Sequence, residues 1–311
     1  MEDIIQFDNY LKKFKKKLIG PLNCSIKKAR ITALLGSSGS GKTVILNSLL
    51  GMIKNFNGKI LVEGINRKSL KYFKVNKKIG YYTQMDFSLY NVSAYKFLLD
   101  ISIMMGLNKK NVRMKIENWM KYFDLWEARN KSIKSFSWGM KNRMNLILCF
   151  IKDPEIIIMD EPGANLDSYW RNKIKNLLIE YKKQNKTVII TVHNIDEIAD
   201  IIDDYIIIDN GENVFNGSAE ELDIYAKYKV YINERFNHKN FRFFLSEYGI
   251  KAFKFDRDEN SLVVAIENFK QINFLFLYLI KNNLPLKNLV KLPINMESIH
   301  KALESKKLMQ S

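Results

Sequence analysis

Over its first 220 residues the chain alternates short apolar runs with stretches of helical period. Ile31-Thr32-Ala33-Leu34-Leu35 reads as a strand and Val44-Ile45-Leu46-Asn47-Ser48-Leu49-Leu50 as the helix after it. Asn57-Gly58 signals a turn into a strand over 59–64 that closes in Gly64, and residues 78–83 predict another strand with Gln84 at its end. From 93 to 150 the period changes, and segments 94–105, 110–123 and 140–150 predict an inserted block of amphipathic helices. Alternation returns at Ile156-Ile157-Ile158-Met159, four apolar residues that predict a buried parallel strand ending in Asp160 and Glu161. A helix over 169–184, a strand over 187–191, a helix over 195–202 and a strand over 205–208 follow, with Asn210-Gly211 turning a final hairpin. Upstream, Ile4-Ile5-Gln6-Phe7 and Leu22-Asn23-Cys24-Ser25-Ile26 read as short strands flanking a lysine run.

Around 219–229 the character shifts, predicting one domain over 1–222 and a second over 223–311. The second reads as strand (230–232), helix (239–248), a hairpin of strands (251–255 and 261–266), helix (269–281) and strand (286–292), with a last helix over 296–308. A β-α-β-β-α-β order predicts a small α+β unit of the ferredoxin-like kind.

Composition narrows the function classes. With 311 residues and 47% apolar content the chain can bury a large core. No run approaches the ~20 apolar residues a membrane-spanning helix requires, and the acidic opening Met1-Glu2-Asp3-Ile4 lacks signal-peptide order. Cys24 and Cys149 stand far apart without metal-ligand spacing, which predicts two reduced thiols. The net charge of +17 spreads over the chain, with one compact run at Lys12, Lys13, Lys15, Lys16 and Lys17. It reads as a solvated surface, and no nucleic-acid partner is expected.

Chemistry enters between the first strand and its helix. Gly36-Ser37-Ser38-Gly39-Ser40-Gly41-Lys42-Thr43 fits G-x-x-x-x-G-K-[ST] at every fixed position, in strand–loop–helix context. Glycines let backbone N–H groups turn toward phosphates, and the helix N-terminus adds its positive dipole end. Lys42 can reach the outer phosphates and the Thr43 hydroxyl can bind Mg²⁺. The adjacent acids Asp160 and Glu161, after a wholly apolar strand, would be costly to bury without a cation. Such a pair suits metal support and activation of an attacking water.

The order Gly36 to Thr43, Gln84, Ser135-Phe136-Ser137-Trp138-Gly139-Met140-Lys141, Ile156 to Glu161, Asn165-Leu166-Asp167 and His193 resembles the ATP-binding cassette of ABC transporters. The resemblance covers about residues 1–220. It implies an α/β P-loop NTPase core with a helical insertion, and ATP hydrolysis coupled to transport, with ATP and Mg²⁺ as cofactors. It further implies that Phe14 stacks on adenine, that residues Gly36, Ser37, Ser38, Gly39, Ser40, Gly41, Lys42 and Thr43 hold the phosphates, and that Thr43, Gln84 and Asp160 attend the metal. Glu161 matches the general base, His193 the γ-phosphate contact, and Gln84 the link from active site to helical insertion. Asp167 matches an acid that communicates across a dimer, and Ser137 and Gly139 match residues that bind ATP held by the opposite subunit. The implied partners are a second ATP-binding subunit and an integral-membrane permease, docked near Gln84 and residues 86–96. That places the chain in the cytoplasm, peripheral on the inner face of the membrane.

Departures from the family pattern sharpen this. The common Leu-Ser-Gly-Gly-Gln is here Phe136-Ser137-Trp138-Gly139-Met140, and Gly163 stands where Thr or Ser is usual. Met140-Lys141 resembles bacterial exporters of the antibiotic and peptide-resistance branch, as does Pro293-Ile294-Asn295-Met296-Glu297-Ser298-Ile299 more loosely. Two rival readings share the same chemistry: a soluble ATPase acting on ribosomes or nucleic acid, and a weakly active regulatory cassette in a heterodimer.

Overall fold

The computed structural model describes residues 2–14, 17–87, 89–163, 166–192, 195–222, 226–266, 269–292 and 299. It divides into two compact units, Met1–Ala219 and Glu220–Ser311. The first begins with an antiparallel hairpin of β1 (Asp3–Phe14) and β2 (Lys17–Lys27), then β3 (Ile31–Leu35) and α1 (Lys42–Leu50). Next come β4 (Asn57–Val62), β5 (Ile65–Asn66), α2 (Phe73–Asn76), β6 (Ile79–Tyr82), α3 (Ala94–Met104), α4 (Lys109–Tyr122) and α5 (Trp138–Phe150). They are followed by β7 (Ile156–Asp160), α6 (Ser168–Lys183), β8 (Thr187–Thr191), β9 (Asp204–Asp209) and β10 (Glu212–Ser218), and the short α7 (Ala219–Leu222) spans the division between the units.

Two sheets enclose the core. One is antiparallel in the order β2-β1-β4-β5; the other runs β10-β9-β3-β8-β7-β6, parallel except for β10 on its edge. Every residue of β3 and β8 is buried, as is Ile156 to Met159 of β7, because parallel strands covered on both faces carry continuous apolar runs. Helix α1 sends Ile45, Leu46 and Leu49 into the cluster between the sheets. There the Tyr10 and Ser48 hydroxyls are hydrogen-bonded at 2.8 Å, so neither polar group is buried without a partner.

Register places the chemistry. Leu34 and Asp160 both align with Thr191, so the ends of β3, β8 and β7 meet at one edge. Ligands bind outside the carboxyl ends of such strands.

Two expectations for this unit change. The N-terminal strands are long, not short, because their antiparallel pairing continues through Lys12 and Lys13 as far as the Phe14–Lys17 pair. Residues 195–202 form two single 3₁₀ turns, Ile195–Glu197 and Ala199–Ile201, rather than a helix. Eight residues give too little propagation to offset helix nucleation, and the Asp203 carboxylate instead accepts from the Ile31 N–H at 2.9 Å, tying the segment's end to β3.

The helical insertion is capped as its sequence demands. Ser93, Asn108 and Ser137 each accept a backbone N–H at the N-terminus of α3, α4 and α5. Helix α4 buries Val112, Ile116 and Met120 at four-residue spacing, worth about 1.5–3 kcal/mol per side chain. The Trp119 ring stacks on Phe123 and on Phe150 of α5, which locks the two helices together.

In the second unit β11 (Ala226–Ile232), α8 (His238–Glu247), β12 (Lys251–Asp256), β13 (Ser261–Ile266), α9 (Phe269–Lys281) and β14 (Leu286–Lys291) follow in β-α-β-β-α-β order. The sheet is antiparallel, in the order β12-β13-β11-β14. Phe241 and Leu245 of α8 and Leu275 and Leu279 of α9 share a core with Val230, Leu262 and Val264 of the sheet. The helix predicted over 296–308 lies outside the described residues apart from Ile299, which is helical and buried.

Candidate nucleotide-binding site

The loop between β3 and α1 is built around close approach. A Cβ on Gly36 would lie 2.3 Å from the Ile208 carbonyl oxygen, and Gly41 has φ +117° with Ile19 of β2 about 3.0 Å from where its Cβ would be. No larger residue fits the first, and a side chain at the second would be strained. The loop backbone can therefore pass close to its neighbours as it enters α1, and the N-terminus of a helix favours an anion.

Lys42 is buried, and its ammonium donates to the Gly36 and Ser37 carbonyls at 2.7 and 3.2 Å. Burial holds its pKa below the usual lysine range, while the carboxylates of Glu161 and Asp160 pull in the opposite direction. Ser40 is also buried, and its hydroxyl has no hydrogen-bond partner among the described residues. A buried cation and an orphaned hydroxyl beside a helix N-terminus fit a polyphosphate.

Asp160 ends β7 and accepts through both oxygens. The Thr191 hydroxyl donates to Oδ1 at 2.6 Å, and the Thr43 hydroxyl lies 3.4 Å from Oδ2. Thr43 and Asp160 are thus a pair of hard oxygen donors beside the loop, a set that suits Mg²⁺, which completes its shell with water and phosphate oxygens. Thr191 also accepts from the Glu161 N–H at 3.0 Å. This holds Glu161 at φ +53°, in the left-handed region, as the chain leaves the strand.

Phe14, Lys17, Ile19, Ser38, Gly39, Gly41, Lys42, Thr43, Val44 and Glu161 line one open cleft of about 240 Å³. The Phe14 ring is half exposed near the end of β1, at the margin of this cleft. Lys17 reaches across to donate to the Gly39 carbonyl, so hairpin and loop are tied together. Lys17 and Thr191 are not among the residues the sequence pattern points to. Lys17 was lost within the lysine run, and Thr191 carried only the weak signal of a hydroxyl at the end of an apolar strand.

The remaining predicted residues lie elsewhere. Gln84 is exposed just past β6, the strand beside β7, and is not among the lining residues. Ser137 caps α5, its hydroxyl accepting from the Met140 N–H at 3.3 Å, with Gly139 in the first turn. Asp167 caps α6 and accepts from the Trp170 N–H at 3.0 Å. Neither cap lines the cleft. His193 and Asn165 lie outside the described residues.

Comparison with known proteins agrees with this architecture. A family model for the ABC transporter matches residues 19–164. The linearmycin resistance ATP-binding protein LnrL of Bacillus subtilis (strain 168) is 30% identical over 223 residues, 70% of each chain. The energy-coupling factor transporter ATP-binding protein EcfA2 of Clostridium perfringens (strain SM101 / Type A) is 28% identical over 207 residues, 65% of this chain and 72% of that protein. Among solved structures, cbiO1 from Clostridium perfringens, part of the ABC transporter complex cbiONQ, superposes with TM-score 0.61 at 25% identity, covering 71% of this chain and 91% of that one. No helix among the described residues is long and apolar enough to cross a membrane. The chain belongs to the family of ABC transporter ATP-binding proteins, the ATP-hydrolysing subunits of transporters.

Proposed function

We propose that this chain powers an exporter, working as one of two head-to-tail cassettes beneath a separate integral-membrane permease. The observation that supports the paired site is Gly139. Among the described residues, and apart from its chain neighbours and its own helix backbone, nothing lies within 4 Å of where its Cβ would be, and it has no left-handed φ. The subunit's own fold does not require glycine there, which fits a backbone kept bare for something approaching from outside. Ser137 and Asp167, exposed caps away from the cleft, fit the same role toward ATP held by the second subunit, whether identical or different.

In this reading Phe14 stacks on adenine, while the backbone of residues 36–43 and Lys42 hold the phosphates. Mg²⁺ held by Thr43 and Asp160 would neutralise charge on the phosphate oxygens. Glu161 takes a proton from the water that attacks the γ-phosphorus as the bond to the ADP oxygen breaks. Gln84 and His193 complete the reading, the first orienting the water and the second contacting the γ-phosphate.

Export of peptide antibiotics, drugs or lipids rests on Met140-Lys141 and on the likeness to LnrL. The likeness to EcfA2 favours a second reading, an energy-coupling factor type of transporter. Purification of the tagged chain from detergent-solubilised membranes tests the assembly. Recovery of an integral-membrane partner with several spans of ~20 apolar residues is expected. Recovery with ribosomes or nucleic acid alone overturns it.

A further inference from the structure

Arg143 lies one turn into α5 and joins three elements. Its Nη1 donates to the Phe123 carbonyl just past α4 at 2.9 Å, and its Nε donates to the Gly139 carbonyl at 3.4 Å. The guanidinium lies 4.5 Å from the centre of the Trp170 ring in α6. Trp170 is buried, and its backbone N–H donates to the Asp167 carboxylate at 3.0 Å, the N-cap bond of α6. Burial disfavours its charge, and the carboxylates of Asp124 and Asp167 oppose that. A planar cation can stack and fork at once, which lysine cannot.

From this geometry we infer that Arg143 is a positioning residue that sets the α5 turn bearing Ser137 and Gly139 in register with the α6 turn bearing Asp167. The two turns lie on separate elements, far apart in sequence. Gly139 to Arg143 to Trp170 to Asp167 is a continuous path of contacts between them. The inference rests on the paired-site reading, in which both turns meet the nucleotide of the other subunit. Arg143 itself need touch neither nucleotide, and its removal leaves the cleft lined by Phe14, Lys42 and Glu161 untouched.

The test uses the full chain with Glu161→Gln as parent, measuring ATP-driven dimerisation by light scattering. Affinity for a fluorescent ATP analogue under monomeric conditions and thermal melting are read alongside. Arg143→Lys keeps the charge but loses the stacked fork. It is expected to raise the ATP concentration needed for dimerisation about tenfold, with analogue affinity within about twofold and melting within a few degrees. Trp170→Phe removes part of the same stacking from the other side and is expected to shift dimerisation in the same direction by less. Unchanged dimerisation in both variants overturns the role of Arg143 while leaving the paired site standing. Loss of analogue affinity in step with dimerisation also overturns it, since that marks general damage to the fold. A parent that stays monomeric in ATP overturns the paired site and the role of Arg143 with it.

Discussion

The Thr191 hydroxyl donates to Asp160 at 2.6 Å and accepts from the Glu161 N–H at 3.0 Å, so one buried side chain orients both acids at the end of β7. Thr191→Val keeps the shape but leaves a carboxylate oxygen and an N–H without that partner. Stability is expected to fall by about 1–3 kcal/mol, measured by urea unfolding. The Mg²⁺ concentration for half-maximal ATPase activity should rise as well. An unchanged Mg²⁺ dependence would remove Thr191 from the site.

Gly139→Ala separates the two faces of the subunit. With open space at the Cβ position, melting and nucleotide affinity of the monomer should stay at wild-type values. ATPase activity should fall by about tenfold or more, the scale set by an interaction that forms only in the assembled site. Full activity would return Gly139 to an ordinary helix position.

Phe14→Ala should weaken ATP binding while stability changes by no more than about 0.5 kcal/mol, because the ring is half exposed. Titration with ATP and with inorganic triphosphate checks it. A stacking role predicts loss for ATP alone, and equal loss for both ligands contradicts it.

Lys42 gives a pH dependence with a definite sign. Burial lowers its pKa in the folded protein, so below that value its ionised form costs stability. As pH rises from the lowered pKa toward the unfolded value of 10.5, the unfolded chain binds more protons and the cost is relieved. Triphosphate beside the ammonium pushes the pKa back up. ATP binding in that alkaline window should therefore take up protons, measured by calorimetry in buffers of different ionisation enthalpy. The uptake should vanish in Lys42→Met.

What could be read from sequence was what local pattern encodes. The loop Gly36 to Thr43 and the strand ending in Asp160 announce themselves because their chemistry depends on neighbouring residues and on strands buried on both faces. Thr191 and Lys17 did not, because their partners lie 31 and 22 residues away and only folding brings them together. Arg143 reads in sequence as one more surface charge on a helix. Its path through Trp170 exists only once α5 and α6 are packed. The segment 195–202 misled for a related reason: its period was helical, but anchorage at Asp203 decided its shape.

The empty space around Gly139 bears on how variants of this protein should be judged. A Cβ added there meets open space, so a screen for expression, solubility or heat resistance is expected to pass Gly139→Ala as neutral. If the paired-site reading holds, the constraint at that position comes from a neighbour, and it registers only when two copies or a cognate pair are assayed at work.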